Sequence, residues 1–83
     1  MTRPAEMELK IQPLRRQLFV LATEMWELEG RQGSLFSYIR NTLYEESMAL
    51  AMGSQFGAAQ KVGVSRQVLH MAVHRLGIPY TRH

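Results

Sequence analysis

Apolar residues along this chain fall into three runs, and glycines separate them. In the first run, Leu14, Leu18, Leu21, Met25 and Leu28 recur at spacings of four, three, four and three. That is the repeat of a helix carrying a heptad seam. The pattern predicts a helix from Pro13 to about Glu29, with Gly30 as its stop. Proline costs nothing at a first helical position, where its missing N–H would be unpaired in any case. Phe19, Val20, Ala22 and Trp26 widen the apolar surface beyond the seam, so the helix needs cover on more than one side. Two forms of cover are open: the core of a monomer, or a second copy of the chain. Few other elements are available to supply cover, which favours the second copy. Before this helix, residues 1–12 form an arm of mixed character, bracketed by Pro4 and Pro13. It is too short for a stable isolated helix. Disordered, helical-turn and hairpin forms all stay open for it.

The second run follows a tight turn at Gly30–Gly33. Ser34 is placed to cap a helix that runs to about Met52, with apolar positions Leu35, Phe36, Ile39, Leu43, Leu50 and Met52. Tyr38 and Tyr44 flank them. Phe36, Ile39 and Leu43 join Leu14, Leu18, Leu21, Met25, Trp26 and Leu28 in the expected dimerisation surface. Glu45 and Glu46 raise the question of acid–base or metal chemistry. Neighbours in sequence do not face each other on a helix, so they are read as a solvated face.

The third run, Gly53 to Ile78, has the punctuation of a helix-turn-helix. Ser54 is placed as the N-cap of a short helix. Ala58 and Ala59 are small enough for a second helix to cross close by. Gly63 suits the left-handed residue that closes the first helix, and Val64 points back to the core. Ser65 is a second N-cap, and Arg66 opens a second helix. Leu69, Val73 and Leu76 make its buried stripe, and Gly77 and Pro79 stop it. The outward face is left with Arg66, Gln67, His70, Met71, His74 and Arg75. Residues 79–83 form a short tail.

The expected fold is therefore all-α. Residues 13–52 form a dimerisation core, and 53–78 form a C-terminal helix-turn-helix. With 83 residues the chain makes one domain with a thin core, and oligomerisation is a common remedy at this size. There is no Cys, which removes disulfides and thiolate zinc sites. No apolar run approaches the ~18 residues of a membrane span, and no signal-peptide pattern is seen. The expected location is cytoplasmic, on the nucleoid.

Charge changes the picture more than composition does. The net charge is only +3, but all seven acidic residues lie between Glu6 and Glu46. From residue 51 onward there are Lys61, Arg66, Arg75, Arg82 and three His, with no acid. The basic half is also the helix-turn-helix half. That coincidence favours a polyanion, because clustered positive charge supplies the sequence-independent part of nucleic-acid binding.

Each outward residue then has a candidate role on duplex DNA. Arg66, in the first turn, can pair with guanine O6 and N7, or can contact a phosphate. Gln67 can pair with adenine, and Met71 can touch a thymine methyl. Ser65 is first a cap, and its backbone N–H can meet a phosphate. The same logic allows a backbone contact at Ser54 and Gln55. Lys61 and Arg75 would fix the register on phosphates. His70 and His74 have the HxxxH spacing of a zinc pair, but no Cys or Asp exists to complete a site. Protonation is the stronger role: histidine changes charge between about pH 5 and 8, so affinity for DNA is expected to rise as pH falls. No metal and no cofactor are implied. Nothing supports an enzyme either, since no nucleophile–base set and no phosphate loop is present.

Several of these stretches together resemble the Fis family, the bacterial factor for inversion stimulation, and the Fis-type C-terminal domains of NtrC-like activators. The residues that carry the resemblance are PLR at 13–15, GSQ at 53–55, Ala58-Ala59, and GVSRQVL running to LGI at 76–78. VSRQVLHMAVHRL alone is also similar to the helix-turn-helix of plasmid KorA-type repressors. The Fis resemblance implies a symmetric dimer of interlocked long helices that presents two recognition helices and bends DNA. It maps the first residues of the recognition helix onto Ser65 and Arg66. His70, Met71, Ala72 and His74 stand where the family usually has Lys and Arg. The expected function is a homodimeric transcriptional regulator or Fis-like bending factor on double-stranded DNA. The alternative, from another class, is a protein-interaction module that docks a partner on its apolar first helix.

Overall fold

A computed structural model describes residues Pro4 to Thr81. Among the described residues the chain is all-α, with four helices: α1 (Ala5–Leu28), α2 (Leu35–Leu50), α3 (Gln55–Val62) and α4 (Arg66–Leu76). It divides into two compact units, residues 1–35 and 36–83.

The first unit corrects the expected start of the first helix. α1 begins at Ala5 and passes through Pro13. Most of the expected arm is therefore helix, and residues 1–3 lie outside the described residues. Proline inside a helix deletes one backbone bond and costs about 3 kcal/mol. Local terms on the N-terminal side offset part of that cost. Glu6 and Glu8 sit in the first turn, where negative charge meets the positive end of the helix dipole. Gln12 Nε2 donates to Glu8 Oε2 one turn back, at 3.1 Å. Glu8 N–H donates to the Pro4 carbonyl at 3.1 Å. At the other end Gly30 and Arg31 both take positive φ. The Arg31 guanidinium bonds Glu27 Oε1 at 2.6 Å and lies 4.9 Å from the centre of the Trp26 ring.

The second unit holds the core. Met48 of α2, Ala58 and Ala59 of α3, and Leu69 and Val73 of α4 are buried together. Tyr44, Ala51, Val62, Val64, Ile78 and Tyr80 close around them. The inward face of α2 is thus Tyr44 and Met48, with Ser47 also buried, and Ala51 follows in the turn after the helix. The apolar positions expected to lead that helix mostly do not: Phe36, Leu43, Leu50 and Met52 are exposed. α2 has two apolar stripes, and the shorter one fills the core. The helix also ends at Leu50 rather than Met52. Met52 takes a left-handed φ of 56°, and Gly53 N–H reaches back to the Met48 carbonyl at 2.9 Å.

The same closure is used twice more, at Gly63 and Gly77, with φ of 73° and 67°. Left-handed backbone carries a steric cost for residues with a Cβ, and glycine escapes it. After each turn the next N–H bonds back to the helix: Val64 to Ala59 O at 3.1 Å, and Ile78 to Val73 O at 3.0 Å. The apolar residue so placed folds onto the core, as such closures favour.

Within the short tail expected at 79–83, Tyr80 packs on the core. Thr81 binds Gly53 twice: its N–H donates to the Gly53 carbonyl at 3.0 Å and its hydroxyl does so at 3.2 Å. Arg82 and His83 lie outside the described residues.

Candidate nucleic-acid interface

Two serines set the local geometry of this surface. Ser54 Oγ accepts from Gly57 N–H at 3.2 Å, and Ser65 Oγ accepts from Val68 N–H at 3.2 Å. Each serine is extended and hands the chain into its helix. Three residues, Gly63 to Ser65, join α3 to α4, and the buried alanines let the two helices pack closely. Leu69, Ala72 and Val73 anchor α4 from below. That anchoring fixes what the other side presents. Arg66, Gln67, His70, Met71, His74 and Arg75 are all exposed. Lys61 is exposed in the last turn of α3. No carboxylate pairs with Arg66, Arg75 or Lys61 among the described residues.

His70 and His74 are not isolated side chains. Their ring centroids are 4.3 Å apart, edge to face. Tyr80 joins them: its hydroxyl lies 3.3 Å from His74 Nε2, and its ring lies 5.5 Å from the His74 ring and 6.1 Å from the His70 ring. The other side of His70 turns to α3, where Nδ1 lies 3.0 Å from Gln55 Oε1. An N–H at Nδ1 donates to that oxygen, whether the ring is the neutral Nδ1 tautomer or protonated.

Gln55 differs from the other candidate residues in being buried, with 9% of its surface exposed. Its Oε1 meets His70, but its Nε2 has no acceptor. Together with Ser54, Phe56, Arg66, Gln67, His70, Tyr80 and Thr81 it lines a hollow of about 780 Å³. Of these, Phe56, Tyr80 and Thr81 were missed by sequence reasoning. Phe56 is an exposed aromatic that contributes to no apolar stripe. Tyr80 and Thr81 arrive through a backbone bond to Gly53, which no side-chain pattern announces.

The second candidate surface lies on α1. Extending the helix to Ala5 lengthens its seam. Met7 and Ile11 continue the repeat of Leu14, Leu18, Leu21, Met25 and Leu28 at four and three residues. Leu14, Leu18 and Leu21 are about 60% exposed and Leu28 is 87% exposed, while Met25 and Trp26 are half-buried. Pro13 falls outside this seam. Of the remaining residues assigned to dimerisation, Phe36 and Leu43 are exposed and Ile39 is half-buried.

No known protein family, curated protein or solved structure shows a significant match to the chain.

Proposed function

We propose that this protein binds double-stranded DNA as a homodimer, acting as a transcriptional regulator or a Fis-like bending factor. One observation carries this reading. A Ser-capped helix, held from below by Leu69 and Val73, exposes Arg66, Gln67, His70, Met71, His74 and Arg75 together, in a half of the chain without acidic residues. A helix entering the major groove reads base edges with its first turns, and α4 offers Arg66 and Gln67 there. Arg75, Lys61 and the helix N-termini would hold phosphates. α3, Gly63–Ser65 and α4 then make a helix-turn-helix, in line with the resemblance to the Fis family.

The dimer rests on the α1 seam. Seven apolar positions in heptad spacing, from Met7 to Leu28, face solvent or are half-covered in a single copy. A seam sustained over three heptads is what a second helix of the same kind packs against. On α2, Phe36, Ile39 and Leu43 are the further apolar positions we assign to dimerisation. A two-fold dimer places two copies of α4 on one duplex, with half-sites about one helical turn, ~34–36 Å, apart. If the recognition helices sit closer than that, the DNA bends to meet both.

Selection of bound duplexes from a random pool tests this reading. A two-fold symmetric consensus is expected. Recovery of no enriched sequence, together with no retention of duplex on the protein, would favour the protein-interaction module instead.

A further inference from the structure

The α1 seam carries a charge pattern along its two flanks. Met7, Leu14, Leu21 and Leu28 stand at heptad position d, and Ile11, Leu18 and Met25 stand at a. The residues beside such a seam, at e and g, set partner choice and orientation when helices pair. Here g holds Lys10, Gln17 and Glu24, and e holds Glu8, Arg15, Ala22 and Glu29. Lys10, Arg15 and Glu24 are exposed, and neither Lys10 nor Glu24 is in an ion pair within the chain among the described residues. In a parallel pair each g residue meets the next e residue of the other copy. Lys10 would meet Arg15 and Glu24 would meet Glu29, each twice by symmetry, and both contacts join like charges. In an antiparallel pair g meets g and e meets e. With the seam in full overlap, Met7 lies across from Met25, Ile11 from Leu21 and Leu14 from Leu18. Lys10 then meets Glu24, also twice by symmetry. The like-charge contact left is that of Arg15 with its own copy beside the two-fold axis.

We propose that α1 pairs with α1 of a second copy in antiparallel, with Lys10 of each copy across from Glu24 of the partner subunit. This pairing presupposes the homodimer proposed above and gives it a direction and a register. Full overlap puts the two-fold axis beside Arg16. That is a bare part of the seam: Leu14 and Leu18, on either side of the axis, are 60% and 61% exposed. Pro13 stands at c, away from the contact. The direction also matters for DNA. Leu28, the last residue of α1, lies twelve positions beyond Arg16. At a rise of ~1.5 Å per residue, the two chains leave α1 about 36 Å apart along the axis. A parallel pair would release both chains at one end, about 8–10 Å apart. Half-sites one helical turn apart ask for the wide separation.

The test has two arms, both on the full chain. The chain has no Cys, so Ala5→Cys gives one spin label per copy, on the side of α1 away from the seam. In the antiparallel pair the two labels are at least ~33 Å apart, and in a parallel pair they lie within about two helix diameters, ~20–24 Å. Double electron–electron resonance reads that distance, and the longer one is expected. The second arm reads the charges by sedimentation equilibrium. Lys10→Glu and Glu24→Lys each place like charges across the seam twice, and each should weaken the dimer about tenfold. The double variant Lys10→Glu, Glu24→Lys restores opposite charges and should recover wild-type dimerisation. An equimolar mixture of the two single variants should form a heterodimer. Both positions are exposed, and circular dichroism confirms that each variant stays helical. The shorter distance, in a protein that sediments as a dimer, would overturn the antiparallel pairing and leave the DNA-binding dimer standing. A double variant as weak as the single ones would overturn the Lys10–Glu24 register. A monomeric wild type would overturn the homodimer itself, and the pairing with it.

Discussion

Arg66 and the two histidines are where chemistry depends on single residues. Arg66 is exposed at the start of α4 and free of ion pairs among the described residues. Arg66→Ala should cost ~1–3 kcal/mol on a site with guanine at the contacted position and little on sites without it. Equal loss on all duplexes would instead assign Arg66 to a phosphate, and competition binding on base-substituted duplexes separates the two. His70 and His74 lie side by side on the same face. Both face outward on α4 and can donate to a phosphate or a base edge. The double variant His70→Gln, His74→Gln should therefore weaken duplex binding in a fluorescence anisotropy titration, and an affinity equal to that of the wild type would remove both rings from the interface. The roles of Ser54, Ser65, Gly63 and Gly77 were legible in the sequence because each follows from a steric or capping rule that acts locally. The burial of Gln55 was not, since it depends on a partner fifteen positions away.

At the scale of elements, α3 and α4 were the most legible because glycine and serine mark both ends of each. α1 was less so. Local rules favour Pro13 as a first helical residue, but the helix runs on through it, with Glu6, Glu8 and Gln12 supporting the first turns. The misreading hid two seam positions, Met7 and Ile11. α2 was misread in a different way. Its two apolar stripes compete, and periodicity alone cannot say that Met48 goes inward while Phe36 stays 85% exposed. The α1 seam carries its own prediction. Leu18→Glu with Leu21→Glu puts two charges on already exposed positions. In a dimer they would sit in a desolvated seam, at a cost of several kcal/mol for unpaired buried charge. Analytical ultracentrifugation should show the wild type as a dimer and this variant as a monomer with α1 still helical. A monomeric wild type would remove the partner from the seam.

The whole molecule combines two features that pull in one direction. A basic, acid-free half holds the exposed face of α4, and an acid-containing half holds an apolar seam without cover. The charge division was visible in the sequence, as were the all-α class and the order of its elements. The strapping of Thr81 to Gly53 was not visible, because hydrogen bonds from a chain end leave no periodic trace. The central claim is that this face meets a polyanionic duplex. Fluorescence anisotropy of a labelled duplex, titrated with protein at salt concentrations from about 50 to 200 mM, tests it most directly. If several phosphates are contacted, log K should fall linearly with log salt at a slope of about −0.9 per phosphate. No binding at the lowest salt, or an affinity indifferent to salt, would contradict it.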